Sequence, residues 1–306
     1  MNKTAKPFIK WAGGKSQLLP EIMNVIPDSL KQLDFIYIEP FVGGGATLFW
    51  ILQKYPNIKR AVINDINIDL TNSYKTIKEN VESVISVLKR WEKEYHSFSD
   101  KQEQKKEYYY SKRALFNSGN SDLISQTALF IFLNRTCFNG LYRVNKKNEF
   151  NVPIGSYKKP MICDEVNLRA VSNILQKVEI LNGDFEQTLE YAENKTLFYF
   201  DPPYKPLNET SSFNSYAKDE FDDNEQIRLA KFCEKVDLLG YHWILSNSDV
   251  KGKNPDDNFF DELYSNFKIK RVLARRNINS NPNKRGELTE LLITNYAYEK
   301  IMSIAQ

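Results

Sequence analysis

Seven short apolar runs constrain the fold of this chain more than any other feature. They are Phe35–Glu39, Ala61–Asn64, Val178–Leu181, Leu197–Phe200, His242–Ser246, Ile269–Ala274 and Leu288–Tyr296. Each is rich in Ile, Val, Leu, Phe or Tyr. Most are too continuous to be strands with one wet face, so they read as strands covered on both sides. Helical spacing lies between most of them. Val81, Val84, Ile85, Leu88, Trp91 and Tyr95 fall on one helical face, and Glu225–Leu239 shows a similar pattern. Strands alternating with helices predict an α/β fold built on a mostly parallel sheet. The alternation breaks once. More than 100 residues separate the second run from the third, helical at first and then hairpin-like around Cys137–Tyr157. This predicts one domain inserted into another, with 1–70 and 158–306 forming the sheet domain and 71–157 the insert. The polar stretch Asn247–Asn258, with Gly, Pro and several Asp and Asn, reads as a surface loop.

Composition narrows the chemistry. No apolar run approaches membrane-spanning length, and the basic start, Met1 to Lys15, lacks the apolar core of a secretory signal. Three widely spaced cysteines, Cys137, Cys163 and Cys233, form no metal pattern and suit a reducing, cytosolic setting. With only two histidines, His96 and His242, a zinc site or a histidine-based triad is disfavoured. The net charge of +3 hides an asymmetry: Lys101–Pro160 holds eleven Lys/Arg against four Asp/Glu. A second basic cluster comprises Lys268, Lys270, Arg271, Arg275, Arg276, Lys284 and Arg285, with no acid between its ends. Concentrated positive charge is the footprint of a phosphate-backbone partner, although lysine-rich surfaces are also simply solvated.

The fourth run ends in Asp201-Pro202-Pro203-Tyr204. Neither proline has an N–H, so the sheet ladder stops there, and Pro202 biases Asp201 towards an extended backbone. A carboxylate, carbonyls and an aromatic ring are thereby held at a strand end. That set suits a flat base with an exocyclic amine; it also suits a plain strand-capping turn. After the first run comes Glu39-Pro40-Phe41-Val42-Gly43-Gly44-Gly45, a glycine turn into a helix. The dinucleotide pattern fits only in part, because Leu48 stands where its third glycine belongs. Asp65, at the end of the second run, is placed to accept from ribose hydroxyls or to cap a helix. A glycine turn and a distal acid without the full pattern suit a nucleoside cofactor lacking phosphates. Lys10-Trp11-Ala12-Gly13-Gly14-Lys15-Ser16 superficially resembles a phosphate loop, but Ile9 occupies the position of its first glycine. In the insert, Arg135, Phe138, Asn139, Leu141 and Arg143 precede Phe150-Asn151-Val152-Pro153. Asn139-Gly140 signals a turn. On a protruding hairpin, Arg and Asn can read base edges and Phe138 can wedge between base pairs; an ordinary stabilising hairpin has the same pattern.

The ordered set resembles the DNA adenine-N6 methyltransferases of the Dam group, and most of all its DpnM-type restriction-modification members. The shared motifs run from Phe8 to Tyr296, including Gly-Asp-Phe at 183–185 and the Asp-Pro-Pro-Tyr turn. The resemblance implies the Rossmann-like, seven-stranded, mostly parallel sheet of class I S-adenosylmethionine-dependent methyltransferases, with an inserted, mainly helical DNA-recognition domain carrying a β-hairpin. It implies S-adenosylmethionine as cofactor, held by Trp11, Lys15, Glu39, Phe41, Gly43, Gly45, Asp65, Asp184, Phe185 and Asp201. Asp201, Pro202 and Tyr204 become the catalytic set, with no metal. Double-stranded DNA is the partner, read at GATC: Lys10 and Arg143 meet guanines, Leu141 and Pro153 the next bases, and Phe138 inserts beside a flipped adenine. Arg135 and Asn139 belong to the same DNA-binding set. The wedge position, often tyrosine in the family, is Phe138 here. A monomer in a prokaryotic or phage-infected cytoplasm, paired in function with a restriction endonuclease but forming no stable complex with it, completes the expectation.

Adenine N6 lies inside a duplex, so it must be flipped out and received by a stacking pocket. Tyr204 supplies the stack, while Asp201 and the Pro202 carbonyl accept from N6. Cytosine-N4 methylation, a non-catalytic DNA-binding module on the same fold, and methylation of RNA or protein amides share parts of this pattern.

Overall fold

The computed structural model describes residues 4–13, 18–98, 101–204, 221–252, 254–275 and 287–297. All seven predicted strands form one sheet: β1 (Phe35–Glu39), β2 (Ile58–Asp65), β3 (Val178–Asn182), β4 (Thr196–Phe200), β5 (His242–Ser248), β6 (Lys268–Arg275) and β7 (Glu287–Thr294). The order is β3-β2-β1-β4-β5-β7-β6. The pairings among β1 to β5 are parallel, while β7 runs antiparallel between β5 and β6.

Successive side chains in a strand point to opposite faces, and here both faces are covered. Phe35, Tyr37, Ala61, Ile63, Leu197 and Tyr199 join one core. Their neighbours Ile36, Ile38, Val62, Phe198 and Phe200 join a second. This is why the strands read as continuous apolar runs. The second core is closed by α8 (Asp223–Leu238), through Leu229, Phe232, Cys233 and Val236, and by α9 (Phe259–Leu263). The first is closed by α1 (Leu19–Val25), α2 (Asp28–Gln32), α3 (Ala46–Lys54), α7 (Glu165–Leu175) and the insert.

Between β2 and β3, where an insert is expected, the chain forms α4 (Ile68–Ser97), α5 (Gln102–Ser118) and α6 (Leu123–Thr136). Asn67 caps α4 by accepting from Leu70 N (2.9 Å). The expected boundary at 70/71 falls inside this helix. Leu70, Tyr74 and Ile77 sit in the core shared with the sheet, and Val84, Leu88 and Tyr95 continue that core into the insert. A non-helical residue, Asn80 (φ −134°, ψ 36°), kinks α4 between these groups. The hairpin-like segment is a loop held by two antiparallel bridges, Cys137–Ile154 and Val144–Phe150, rather than a continuous ladder.

Residues 247–250 correct the surface-loop expectation. β5 continues through Ser248, and Asn247, Ser248, Asp249 and Val250 are buried. Their polar groups have distant partners: Asn247 Nδ2 donates to Gln226 (3.0 Å), and Asp249 accepts from Thr289 (2.6 Å) and pairs with Arg271 (3.1 Å). Local polarity is a poor guide to exposure when partners lie far away in sequence. Among the described residues no helix is long and apolar enough to cross a membrane.

Candidate active site

The chain runs from β1 to β2 to β3 on one side of the sheet and then returns to β4 on the other side of β1. The loops leaving β1 and β4 therefore diverge, and an open α/β sheet binds its ligand in that crevice. The glycine turn follows β1, Asp65 ends β2, and Asp201 follows β4 directly. The structure thus brings together three motifs spread over more than 160 residues.

The glycine turn has little freedom. Gly43 (φ 48°) donates to Asp65 Oδ2 (3.0 Å) and accepts from the Tyr74 hydroxyl (3.0 Å). Trp11 lies against it, so that a Cβ on Gly43 would sit 2.9 Å from Trp11 Cδ1. Gly45 (φ 75°) caps α3 and passes close to Tyr74 and Phe49. Asp65 accepts Asn67 N on its other oxygen (2.9 Å), and burial raises its carboxyl above the ordinary range despite these N–H donors. Ile66, the next residue, is 68 % exposed.

Glu39 is buried at the end of β1 and accepts from Tyr37 Oη (2.8 Å). Burial drives its carboxyl well above the usual range; the Tyr37 hydrogen bond opposes this, while Asp201 and Asp65 add to it. A raised folded value means that the folded state keeps a proton the unfolded chain releases. Stability therefore falls as pH rises from about 4.3, the unfolded value, through the folded one. Glu39→Gln is expected to flatten that decline and to melt no lower than the parent at pH 8, as calorimetry across pH 5 to 8 would show.

At the end of β4, Asp201 is half-buried and accepts from Ser246 Oγ (3.1 Å), which itself contacts Tyr199 Oη (3.0 Å). Gln226 Nε2 holds the Pro203 carbonyl (3.1 Å). The Tyr204 hydroxyl donates to Glu290 on β7 (2.8 Å). Burial, then Asp201 and Glu290, push its ionisation well above the ordinary range, so the ring carries a neutral hydroxyl. Phe41 packs on Phe185 (ring centroids 5.2 Å) beside Phe221. Arg228 lies over Phe185 (4.2 Å) and forms a two-pronged pair with Asp184 (2.7 and 3.0 Å), which lowers the Asp184 carboxyl.

The insert presents a second group beside the crevice. Phe138, Asn139, Leu141, Arg143 and Pro153 are all exposed. Asn139 (φ 58°) and Gly140 (φ 67°) make the tight turn that their sequence signals. Phe138 N bonds to the Pro153 carbonyl (2.9 Å), joining the two halves of the loop. Arg143 is braced by Asn151 Oδ1 (2.7 Å). Lys10 joins this group through Asn134, whose side chain bonds Lys10 N (2.8 Å), Lys10 O (2.8 Å) and Gly140 O (3.0 Å). Arg135 does not join it. Its partly buried guanidinium donates to the Phe8 carbonyl (2.8 Å), bracing the segment that leads to Lys10.

Exposed lysines at 146, 147, 158 and 159 flank the loop. Lys105 instead bonds the carbonyls of Tyr157 and Lys158 (2.9 Å each), and Lys112 lies over Trp91 (4.0 Å). In the second basic cluster, Lys270 pairs with Glu21 (2.6 Å) and Arg271 with Asp249 and Asp261. Lys15, Arg276, Lys284 and Arg285 lie outside the described residues. Sequence patterns gave no sign of Ser246, Gln226, Glu290 or Asn134, which sit in strands or helices and act through long-range bonds.

Comparison with known proteins agrees with this geometry. A curated relative, the type II methyltransferase M.MjaIII of Methanocaldococcus jannaschii, is 52% identical across 95% of this chain and 99% of its own. The DNA adenine methylase of Haemophilus influenzae is 37% identical across 94% and 92%, and that of Escherichia coli K12 30% across 95% of each. The family model for D12 class N6 adenine-specific DNA methyltransferases matches residues 11–278. A crevice that joins an Asp-Pro-Pro-Tyr turn to a glycine turn, beside an exposed basic and aromatic loop, accords with that match, and the chain belongs to the D12 class of N6 adenine-specific DNA methyltransferases.

Proposed function

We propose that this adenine-specific DNA methyltransferase takes its methyl group from S-adenosylmethionine and delivers it to N6 of an adenine flipped from duplex DNA, within GATC. The observation that carries the reading is the convergence of Asp201, Asp65, Glu39 and the glycine turn in one crevice at the switch point of the sheet. The Asp201 and Asp65 carboxylates at neighbouring strand ends disfavour a pyrophosphate but suit a donor bearing a sulfonium and an ammonium group, while Glu39, whose carboxyl burial drives well above the usual range, adds a polar group rather than a third charge. Trp11, Lys15, Gly43 and Gly45 would hold that donor's backbone side. Asp65 would accept from its ribose. Phe41, Asp184 and Phe185 would flank its base. When bound, S-adenosylmethionine supplies an electrophilic methyl group.

The remaining chemistry belongs to the chain. Tyr204 stacks on the flipped adenine, with its ring fixed by the Glu290 bond. The Asp201 carboxylate and the Pro202 carbonyl accept from N6–H₂, localise its lone pair and orient it. Ser246 holds Asp201 in place. Positioning and electrostatics then provide most of the acceleration. Lys10 and Arg143 contact guanines, Leu141 and Pro153 the adjacent bases, Asn139 the same groove, and Phe138 fills the space that the adenine leaves. The structure favours a bracing role for Arg135 over a base contact. We place the enzyme as a monomer in a prokaryotic or phage-infected cytoplasm, paired in function with a restriction endonuclease that recognises the same site.

Base-modification sequencing of DNA from cells expressing the chain tests this reading. N6-methyladenine confined to GATC supports it; N4-methylcytosine, or N6-methyladenine in another motif, contradicts it. Arg143→Ala is expected to lose about 1–3 kcal/mol of discrimination at one guanine. Relative kcat/KM on duplexes differing at that base pair would show this, and unchanged discrimination would remove Arg143 from the reading set.

A further inference from the structure

Residues 141–143 do two jobs on opposite faces of one extended segment. Leu141 is extended (φ −74°, ψ 146°), and both it and Arg143 are exposed. Tyr142 between them is only partly exposed, as alternation along an extended chain requires. Its ring stacks on Trp11 (5.2 Å between centroids, 25° between planes), and its hydroxyl donates to Asp69 (3.0 Å) in the first turn of α4. Trp11 in turn lies against Gly43 and Gly44, where an added Cβ would come within 2.9 Å of it at either position. Gly43 is bonded to Asp65. A short series of rigid contacts therefore joins the base-facing edge of the insert to the donor-facing turn of the sheet domain.

We propose that Tyr142 is a positioning residue that couples base reading to the methyl-donor site. Correct contacts at Leu141 and Arg143 fix the segment, the Tyr142–Trp11 stack carries that setting to the glycine turn, and the turn is thereby held in its donor-binding form. The inference rests on the proposed roles of both ends. The coupling is reciprocal: cognate DNA tightens donor binding, and donor tightens cognate DNA binding by the same factor. Flat aromatic rings on a turn with two fixed hydrogen bonds suit this role, because packed contacts hold discrete arrangements rather than yielding continuously.

The test is the affinity of the unreactive product S-adenosylhomocysteine for the full chain, measured by calorimetry in three states: alone, with a duplex carrying one methylatable site, and with the same duplex altered at one guanine. For the parent, the cognate duplex is expected to tighten binding at least about fivefold relative to the altered one. In Tyr142→Leu that ratio falls to about one, while binding without DNA changes by less than about threefold. A ratio of one in the parent, or an unchanged ratio in the variant, overturns the proposal. Should Tyr142→Leu fail to fold, hydrogen exchange on the parent decides. Cognate duplex alone should slow exchange of the Gly43 amide and altered duplex should not; equal protection overturns the coupling. Failure of the functional reading itself appears separately: N6-methyladenine in another motif moves the ratio measurement to that duplex, and absent N6-methyladenine overturns both the reading and the coupling that rests on it.

Discussion

Asp201→Ala is expected to lower the single-turnover methylation rate by at least about a hundredfold, the scale on which loss of one oriented polar group acts in an enclosed site. The side chain is held by Ser246, which also contacts Tyr199, so the carboxylate is aimed before substrate arrives. In the proposed role, its removal takes away the N6 acceptor and the adjoining negative charge together. Duplex affinity should change little, because phosphate contacts dominate binding to DNA and the exposed loop of the insert is untouched. Rapid-quench measurement with saturating donor separates the two effects. A rate within about threefold of the parent would show that Asp201 does not orient N6.

The second large effect is expected at the glycine turn. Gly43 has φ 48°, a conformation that L side chains seldom adopt, and its new Cβ would meet the rigid Trp11 indole at 2.9 Å. The backbone cannot move aside without losing the bonds to Asp65 and Tyr74. Gly43→Ala should therefore lose about 1–3 kcal/mol of stability from backbone strain alone and weaken donor binding at least about tenfold. Gly119→Ala is the control. It also has positive φ, but at the end of α5 with nothing within 4 Å of the new Cβ. It should cost stability without changing donor affinity. Equal effects on donor affinity at the two positions would show that the turn is not part of the donor site.

The strands were legible because a sheet covered on both faces leaves no polar alternation to confuse the pattern. β1 matches its predicted limits, and the other six differ only at their ends. The position of β7 between β5 and β6 was not legible, since no local feature of 287–294 selects its neighbours. The expected boundary at 70/71 had no local signal: α4 runs through it without a break, one core cluster continues along its length, and the kink at Asn80 leaves no composition change. The site motifs were legible where chemistry forces a local pattern, as with the prolines after Asp201 and the glycines after β1. Their supports were not. Ser246, Gln226 and Glu290 look like ordinary strand and helix residues until β5, β7 and α8 come together behind the Asp201–Tyr204 turn. Arg135 read as a base contact because it stands among groove-type residues, yet α6 turns it towards Phe8.

The central claim is that a flipped adenine meets its methyl donor at the Asp201–Tyr204 turn. The most direct measurement is a crystal structure of the enzyme with a GATC duplex and S-adenosylhomocysteine. The target adenine is expected outside the helix, its ring on Tyr204 and N6 within hydrogen-bond distance of the Asp201 carboxylate and the Pro202 carbonyl. An adenine that stays stacked in the duplex, or one received elsewhere on the sheet, would contradict it.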